Sequence, residues 1–241
     1  MKLVVVALVL TLGYASVPPN FKRCLRKDPD FNKCYLEAAQ YGASLLTKRY
    51  DQLDIPNLDP FKVTSLVLRT GQGPVNLEHN YTDCSVYGLT TIKFDIFELD
   101  LEKNTLMADG TIDQMVFKCS YHMTGRILLL AVRGDGNSTI TFKRFRAKYK
   151  AAFDKYLKNE QTYYRTVNTQ MESDVEHVHF DYDNLFNGNR ELGDNLNFVL
   201  NDNWRTVFAD AKADYDEIVR QIMTDVMEKI WGSTSLQEFF D

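Results

Sequence analysis

Residues 204–231 read WRTVFADAKADYDEIVRQIMTDVMEKIW, and this stretch decides the fold. Trp204, Val207, Phe208, Ala211, Tyr215, Ile218, Val219, Ile222, Val226 and Ile230 recur at the three- and four-residue intervals that share one face of an α-helix. No glycine or proline interrupts the run before Gly232. At about 1.5 Å per residue such a helix spans roughly 40 Å. That exceeds the width of a compact small domain, so the apolar stripe needs a partner surface of the same length. The only candidate is the strand-like sequence before it. The stretch therefore predicts an α+β chain in which a highly curved antiparallel β-sheet wraps a long C-terminal helix.

From residue 61 to about 198 the chain mostly alternates apolar and polar residues, as antiparallel strands do. Ile92, Phe94 and Ile96 share one parity and Phe97, Leu99 and Leu101 the other, which predicts a β-bulge at the change. Met115, Phe117, Cys119, Tyr121 and Met123 form another alternating set. Residues 127–132 are apolar throughout, as in a strand buried on both faces. Residues 145–153 fit two periods. Phe145, Ala147, Tyr149, Ala151 and Phe153 alternate with Arg144, Arg146, Lys148 and Lys150, while Phe145, Tyr149, Ala152, Phe153 and Tyr156 suit a helix. The alternating segments on both sides favour strand. Near the N-terminus, Asp28-Pro29 followed by Phe31, Tyr35, Ala38, Gly42, Leu45 and Leu46 predicts a short helix over 29–46. Pro56 and Pro60 then exclude helix from residues 53–60.

With 44% hydrophobic and 25% charged residues, the chain has the composition of a globular protein, which excludes disordered and collagen-like classes. Lys2, the apolar run 3–12 broken only by Thr11, and the small residues Gly13 and Ala15 read as a secretory signal over 1–15. The run is shorter than the roughly 20 residues of a spanning helix, and no later run approaches that length. Residues 16–241 are thus expected to form one domain of a secreted, extracellular protein. A net charge of −5 offers no basic surface for nucleic acid. Four cysteines in an exported chain read as disulfides, with three pairings on paper. Cys24 and Cys34 are close enough to shut a short loop, which leaves Cys84 and Cys119, whose pairing stays open. No C-x2-C spacing supports zinc. Asn80-Tyr81-Thr82 and Asn137-Ser138-Thr139 are glycosylation sequons, with Asn80 and Asn137 as acceptors.

Reactive chemistry is scarce. There is no G-x-S-x-G elbow, P-loop or H-E-x-x-H, and no catalytic residue, metal site or cofactor is predicted. His177 and His179 share a strand face, but Val178, Phe180 and Tyr182 make the opposite face apolar, so the histidines belong on the wet side. His79 and His122 have no local ligand partner in sequence. Gly71-Gln72-Gly73 and Gly134-Asp135-Gly136 read as hairpin turns rather than phosphate cradles, because no helix follows either. Arg133-Gly134-Asp135 matches an adhesion tripeptide that recurs by chance in turns. The row Arg144, Arg146, Lys148 and Lys150 reads as a solvated strand face. A second reading makes it a transient contact with an anionic membrane or a receptor. What remains is a surplus of apolar and aromatic side chains. A curved sheet on a straight helix either packs completely or leaves an elongated apolar space, and pattern alone leaves both open. A hydroxyl inside such a space would hold the polar end of a ligand, with Tyr121 and Tyr149 as candidates by parity.

Several segments together resemble the insect haemolymph juvenile-hormone-binding and takeout-like protein family. They are Cys24-Leu25-Arg26-Lys27-Asp28 through Cys34, Leu53-Asp54-Ile55-Pro56-Asn57-Leu58-Asp59-Pro60, and the approach from Tyr121 and Gly125 to Arg126-Ile127-Leu128-Leu129-Leu130 with Gly134 and Gly136. Asn184-Leu185-Phe186-Asn187-Gly188, Leu196-Asn197 and Asn203-Trp204 follow in the same order. The resemblance implies an elongated wrap of sheet around the last helix. It also implies a Cys24–Cys34 type of bridge, and an N-terminal helix near one end that gates a tunnel for a single hydrophobic ligand. Juvenile hormone, a related terpenoid or a fatty-acid-like lipid would suit such a tunnel in a monomeric carrier. Phe31, Tyr35, Phe94, Met115, Phe117, Tyr121, Phe145, Tyr149, Trp204 and Phe208 are the candidate ligand-binding residues.

Overall fold

The computed structural model describes residues 21–69, 75–127 and 130–241; the expected signal segment, the Gly71-Gln72-Gly73 turn and Leu128-Leu129 lie outside the described residues. Helix α1 (Phe31–Leu45) precedes strands β1 (Phe61–Arg69), β2 (Val75–Tyr87), β3 (Lys93–Asp100), β4 (Thr105–Ile127), β5 (Leu130–Lys158), β6 (Gln161–Asp174) and β7 (His177–Tyr182). Helices α2 (Arg190–Asp202), α3 (Trp204–Ser233) and α4 (Leu236–Phe240) follow. The sheet is antiparallel, ordered β1-β2-β4-β5-β6, with β3 also on β4 and β7 also on β5.

The pair β4–β5 is the spine, and each of its outer edges is shared by two strands. On β4, residues 105–111 pair with β3 and 116–127 with β2. On β5, residues 138–143 pair with β7 and 146–158 with β6. Both handovers fall at one level. There Ile112 and Met115 of β4 are both buried, as are Phe142 and Phe145 of β5, so inward parity changes in the two strands together. Arg144 takes a left-handed φ of 48° at this point. On either side of this level lie the two larger of three apolar clusters, one around Phe117, Phe142 and Tyr215 and one around Tyr35, Tyr149 and Trp231; the third, smaller one gathers Leu46, Leu53, Ile55, Leu58 and Ile222.

Length explains the wrapping. The 29 residues of β5 have a contour of roughly 95 Å at about 3.3 Å each, against roughly 45 Å for the 30 residues of α3. Strands twice as long as the helix stay in contact with it only by coiling around it. Helix α3 buries Trp204, Phe208, Ala211, Tyr215, Val219, Ile222, Met227 and Trp231 along that contact. The stripe read from the sequence is the buried one, displaced slightly toward Met227 and Trp231.

Residues 145–153 are strand, with the aromatic parity buried and the cationic parity exposed. The bulge in β3 appears as a register shift between Phe94 and Ile96. The N-terminal helix is slightly shorter than expected. Both disulfides form, Cys24–Cys34 at a Cα–Cα distance of 5.8 Å and Cys84–Cys119 at 4.1 Å. The second joins β2 to β4 beside a register shift between Thr82 and Ser85.

Three expectations are corrected. Strand-like sequence was expected to reach about residue 198, but residues 190–202 are helix α2. Asn189 caps it by accepting from the Leu192 amide (3.1 Å), and Gly193, Leu196 and Leu200 fall at helical spacing on its buried face. The apolar run 127–132 is not one doubly buried strand, because Ile127 ends β4 and pairs antiparallel with Leu130, which begins β5. Gly134 and Gly136 are not a turn but lie within β5, where neighbours approach closely. A Cβ on Gly134 would stand 2.5 Å from the Tyr121 hydroxyl, and one on Gly136 would collide with Asp183 Oδ1.

Candidate ligand cavity

The cavity lies in the half of the molecule beneath α1. That helix contributes Tyr35, Ala38, Ala39 and Gly42, at the spacing of a single helical face, and Leu46 follows just past its end. Their small side chains let α1 sit low over the sheet; even at Gly42 an added Cβ would meet Phe21 at 3.3 Å. The opposite wall comes from Ile92, Phe94, Ala108, Phe145 and Ala147 of the sheet and its approach, and the floor from Val219, Ile222, Met223, Val226 and Ile230 of α3. Phe239 of α4 also lines it. The space measures about 150 Å³. Dry apolar cavities of this size hold small hydrocarbons, and ligand pockets commonly reach several hundred Å³. A longer ligand would displace wall side chains. Met171, Met223 and Met227 are unbranched and repack at low cost.

Helix α1 is held by polar and covalent ties rather than by a deep core. Gln40 donates to Ile92 O (2.7 Å) and accepts from the Phe94 amide (2.9 Å). Asn32 accepts from the Leu99 amide (3.3 Å). These amides meet backbone groups along the free edge of β3. The Cys24–Cys34 bridge anchors the start of the helix, and the adjoining segment reaches α4 through Arg26 N to Phe240 O (2.8 Å) and an Arg26–Asp241 ion pair (3.0 Å).

Four polar side chains border the cavity: Lys22, Tyr35, Thr90 and Tyr149. Lys22 is ion-paired with Glu37 at the solvent side. Thr90 donates to Asp59 Oδ2 (3.1 Å), and the Tyr149 hydroxyl bonds Thr224 Oγ1 (3.1 Å). The Tyr35 hydroxyl has no partner among the described residues, although the residue is only 7% exposed. Burial, and then the neighbouring Tyr164, push its phenol well above the usual range, so it remains a neutral O–H.

Of the ten candidate ligand-binding residues, the structure places Tyr35, Phe94, Phe145 and Tyr149 on this wall. Phe31 stacks on Tyr35 at 5.7 Å and faces an outer groove. Met115, Phe117, Tyr121, Trp204 and Phe208 belong to the other half. There the Tyr121 hydroxyl donates to Asp183 O (2.5 Å). The wall residues that sequence reasoning missed are chiefly Ala38, Ala39, Gly42, Met223 and Met227. Their signal was faint: a run of small residues on one face of the first helix, and methionines late in the last.

Other singled-out residues find plainer settings. Val178, Phe180 and Tyr182 point inward, His179 is exposed, and His177 packs edge-on to Trp204 at 5.1 Å. Among the described residues, no group of three histidine, cysteine or acidic side chains could hold a metal ion. In the cationic row, Arg146 makes a two-pronged pair with Asp109 (2.9 and 2.8 Å) and Arg144 pairs with Glu176 (3.3 Å), so two of its four charges are matched. Asn137 is exposed and bonds Asp183 through its backbone and side chain, while Asn80 is half-buried within β2.

Comparison with known proteins follows the same outline. A family model described as haemolymph juvenile hormone binding protein matches residues 3–241. A Drosophila melanogaster protein named circadian clock-controlled protein daywake is 24% identical over 234 residues, covering 93% of this chain and 88% of that protein. The Drosophila yakuba protein of the same name is 22% identical over 233 residues, covering 92% and 88%. The crystal structure of Epiphyas postvittana Takeout 1 matches with a TM-score of 0.81 at 21% identity, covering 91% of this chain and 99% of that one. At that identity the likeness is one of fold.

Proposed function

Since the chain belongs to the haemolymph juvenile hormone binding protein family, we propose that it is a secreted carrier holding one small, elongated hydrophobic ligand in the cavity beneath α1. The observation that carries this reading is an apolar space between helix and sheet, roofed by a helix whose cavity face is built of small residues. Such a wall has little to offer a polar solute and much to offer an alkyl or isoprenoid chain. Each buried CH2 contributes about 0.8 kcal/mol before the costs of association are subtracted. Juvenile hormone, a related terpenoid or a fatty-acid-like lipid fits that description.

Helix α1 is the element read as moving on entry and exit, because it supplies one face of the cavity wall. Its ties to β3 through Gln40 and Asn32 are few and separable, while the Cys24–Cys34 bridge keeps one end in place. Two disulfides suit an oxidising, extracellular setting, in keeping with the apolar leader read from the sequence. The test is native mass spectrometry of protein purified from a eukaryotic secretion host, before and after delipidation. A lipid retained at one per chain, and its replacement by methoprene or a fatty acid at the same stoichiometry, is the expected result. A chain that retains no lipid and takes up neither probe would end the carrier reading.

A further inference from the structure

The polar inventory of the cavity narrows the ligand's chemistry, an inference that rests on the carrier reading above. Three of the four polar side chains at the wall already have partners: Lys22 with Glu37, Thr90 with Asp59 and Tyr149 with Thr224. Tyr35 has none among the described residues. Its ring packs against Phe31 (5.7 Å), Phe97 (5.4 Å) and Phe240 (6.1 Å), all ring-centroid distances. A hydroxyl without a protein partner at an apolar wall gains a hydrogen bond when a ligand supplies an acceptor.

We propose that Tyr35 is the specificity-determining residue of the cavity, donating its hydroxyl hydrogen to a neutral acceptor on the ligand, such as an ester or ketone carbonyl. A carboxylate is disfavoured at this position. The nearest wall cation is Lys22, which is solvent-exposed and engaged by Glu37, so a buried anion would meet a single neutral donor and no compensating charge. Tyr121 and Tyr149, the hydroxyls favoured by strand parity, are already engaged. The ligand class is therefore an elongated neutral lipid with a carbonyl at Tyr35.

The proposal is tested on the delipidated full chain with methyl laurate, tridecane and laurate at pH 7.4, each displacing N-phenyl-1-naphthylamine. Tyr35→Phe is expected to lower the ester-to-alkane affinity ratio about tenfold, the worth of one buried hydrogen bond, with alkane affinity changed less than twofold. An unchanged ratio overturns the proposal, because Tyr35 then only packs. Laurate binding more tightly than its methyl ester, with Lys22→Gln abolishing the difference, overturns it in favour of a cationic anchor. If none of the three probes binds the unaltered chain, the carrier reading itself fails and this inference with it. A variant-free measurement guards against misfolding: the infrared carbonyl stretch of 13C-labelled methyl laurate bound to unaltered protein. A stretch below its position in alkane solvent supports a donated hydrogen bond, and one at the alkane position overturns it.

Discussion

His79 is the least expected side chain in the far half of the molecule. Its Nδ1 lies 2.9 Å from the Tyr81 hydroxyl, which in turn lies 2.5 Å from that of Tyr182, and its Nε2 is buried without a partner among the described residues. Burial pushes the imidazole down to about 4. Above pH 6.5 it is neutral folded or unfolded. As pH falls from 6.5 toward 4 the unfolded chain binds a proton that the native one refuses, so stability is lost across that window, in full by about 3 kcal/mol. Unfolding free energies from urea titration at pH 7.5 and 4.5 should therefore differ by about 2.5 kcal/mol more in the natural chain than in His79→Phe. Equal pH slopes in the two proteins would show that His79 is protonated in the native state. None of this was visible in sequence, because Tyr81 shares its strand but Tyr182 arrives from 103 residues away. Gly134 makes the same point for backbone. Its spacing from Gly136 reads as a turn, yet its lack of Cβ admits Tyr121 and Leu185. Gly134→Ala should lower stability by about 1–3 kcal/mol, read as a shift in urea midpoint at unchanged slope.

At the scale of elements, α1 and α2 solve one problem in the same way. Strands β3 and β7 are edges of the sheet, and an uncovered edge invites pairing with another chain. Helix α2 lays Asn197 and Asn201 along β7, each amide both donating and accepting: Asn197 with Tyr182 (2.9 and 3.1 Å), Asn201 with Phe180 (2.7 and 2.8 Å). Helix α1 covers β3 similarly: Gln40 donates to Ile92 O just before the strand and accepts from the Phe94 amide, while Asn32 accepts from the Leu99 amide. This explains why α3 and the alternating strands could be read from the chain while α2 could not. Val207 to Ile230 advertise a helix through apolar spacing, whereas Asn195, Asn197, Asn201 and Asn203 are residues that favour turns and caps. Their helical role depends on a strand edge that exists only in the folded molecule. Because α1 roofs the cavity, its edge contacts also bear on exchange. Gln40→Leu removes both bonds to β3 and leaves Ile92 O and the Phe94 amide without that partner. The expected outcome is dissociation of a bound lipid about tenfold faster in stopped-flow displacement, with α1 amides exchanging hydrogen sooner. Unchanged dissociation would mean that ligand leaves by another route.

The whole molecule is asymmetric in how it fills its interior. One long helix and one β4–β5 spine serve both halves, yet the half built on Phe117, Phe142, Phe208 and Tyr215 is packed by aromatic rings, whereas the half under α1 holds the cavity. Strand parity distinguishes inward from outward residues but not filled from unfilled space. Aromatic residues on both halves were therefore equal candidates in the sequence, and the alanines and methionines that shape the wall drew no attention. The difference is one of volume, and volume can be tested. Adding bulk where space exists should block the ligand and spare the fold; adding it where packing is complete should do the reverse. Met223→Trp sets an indole on the cavity floor. It is expected to abolish uptake of N-phenyl-1-naphthylamine while leaving the thermal midpoint within about 2 °C. Ala211→Phe forces a ring between α3 and the packed half, where Ala211 is buried beside Phe208 and Tyr215. That change should cost about 1–3 kcal/mol, a fall of several degrees in thermal midpoint, while the folded fraction still takes up the probe. Loss of uptake in Ala211→Phe at temperatures where it remains folded would show that the ligand spans both halves, along the full length of α3.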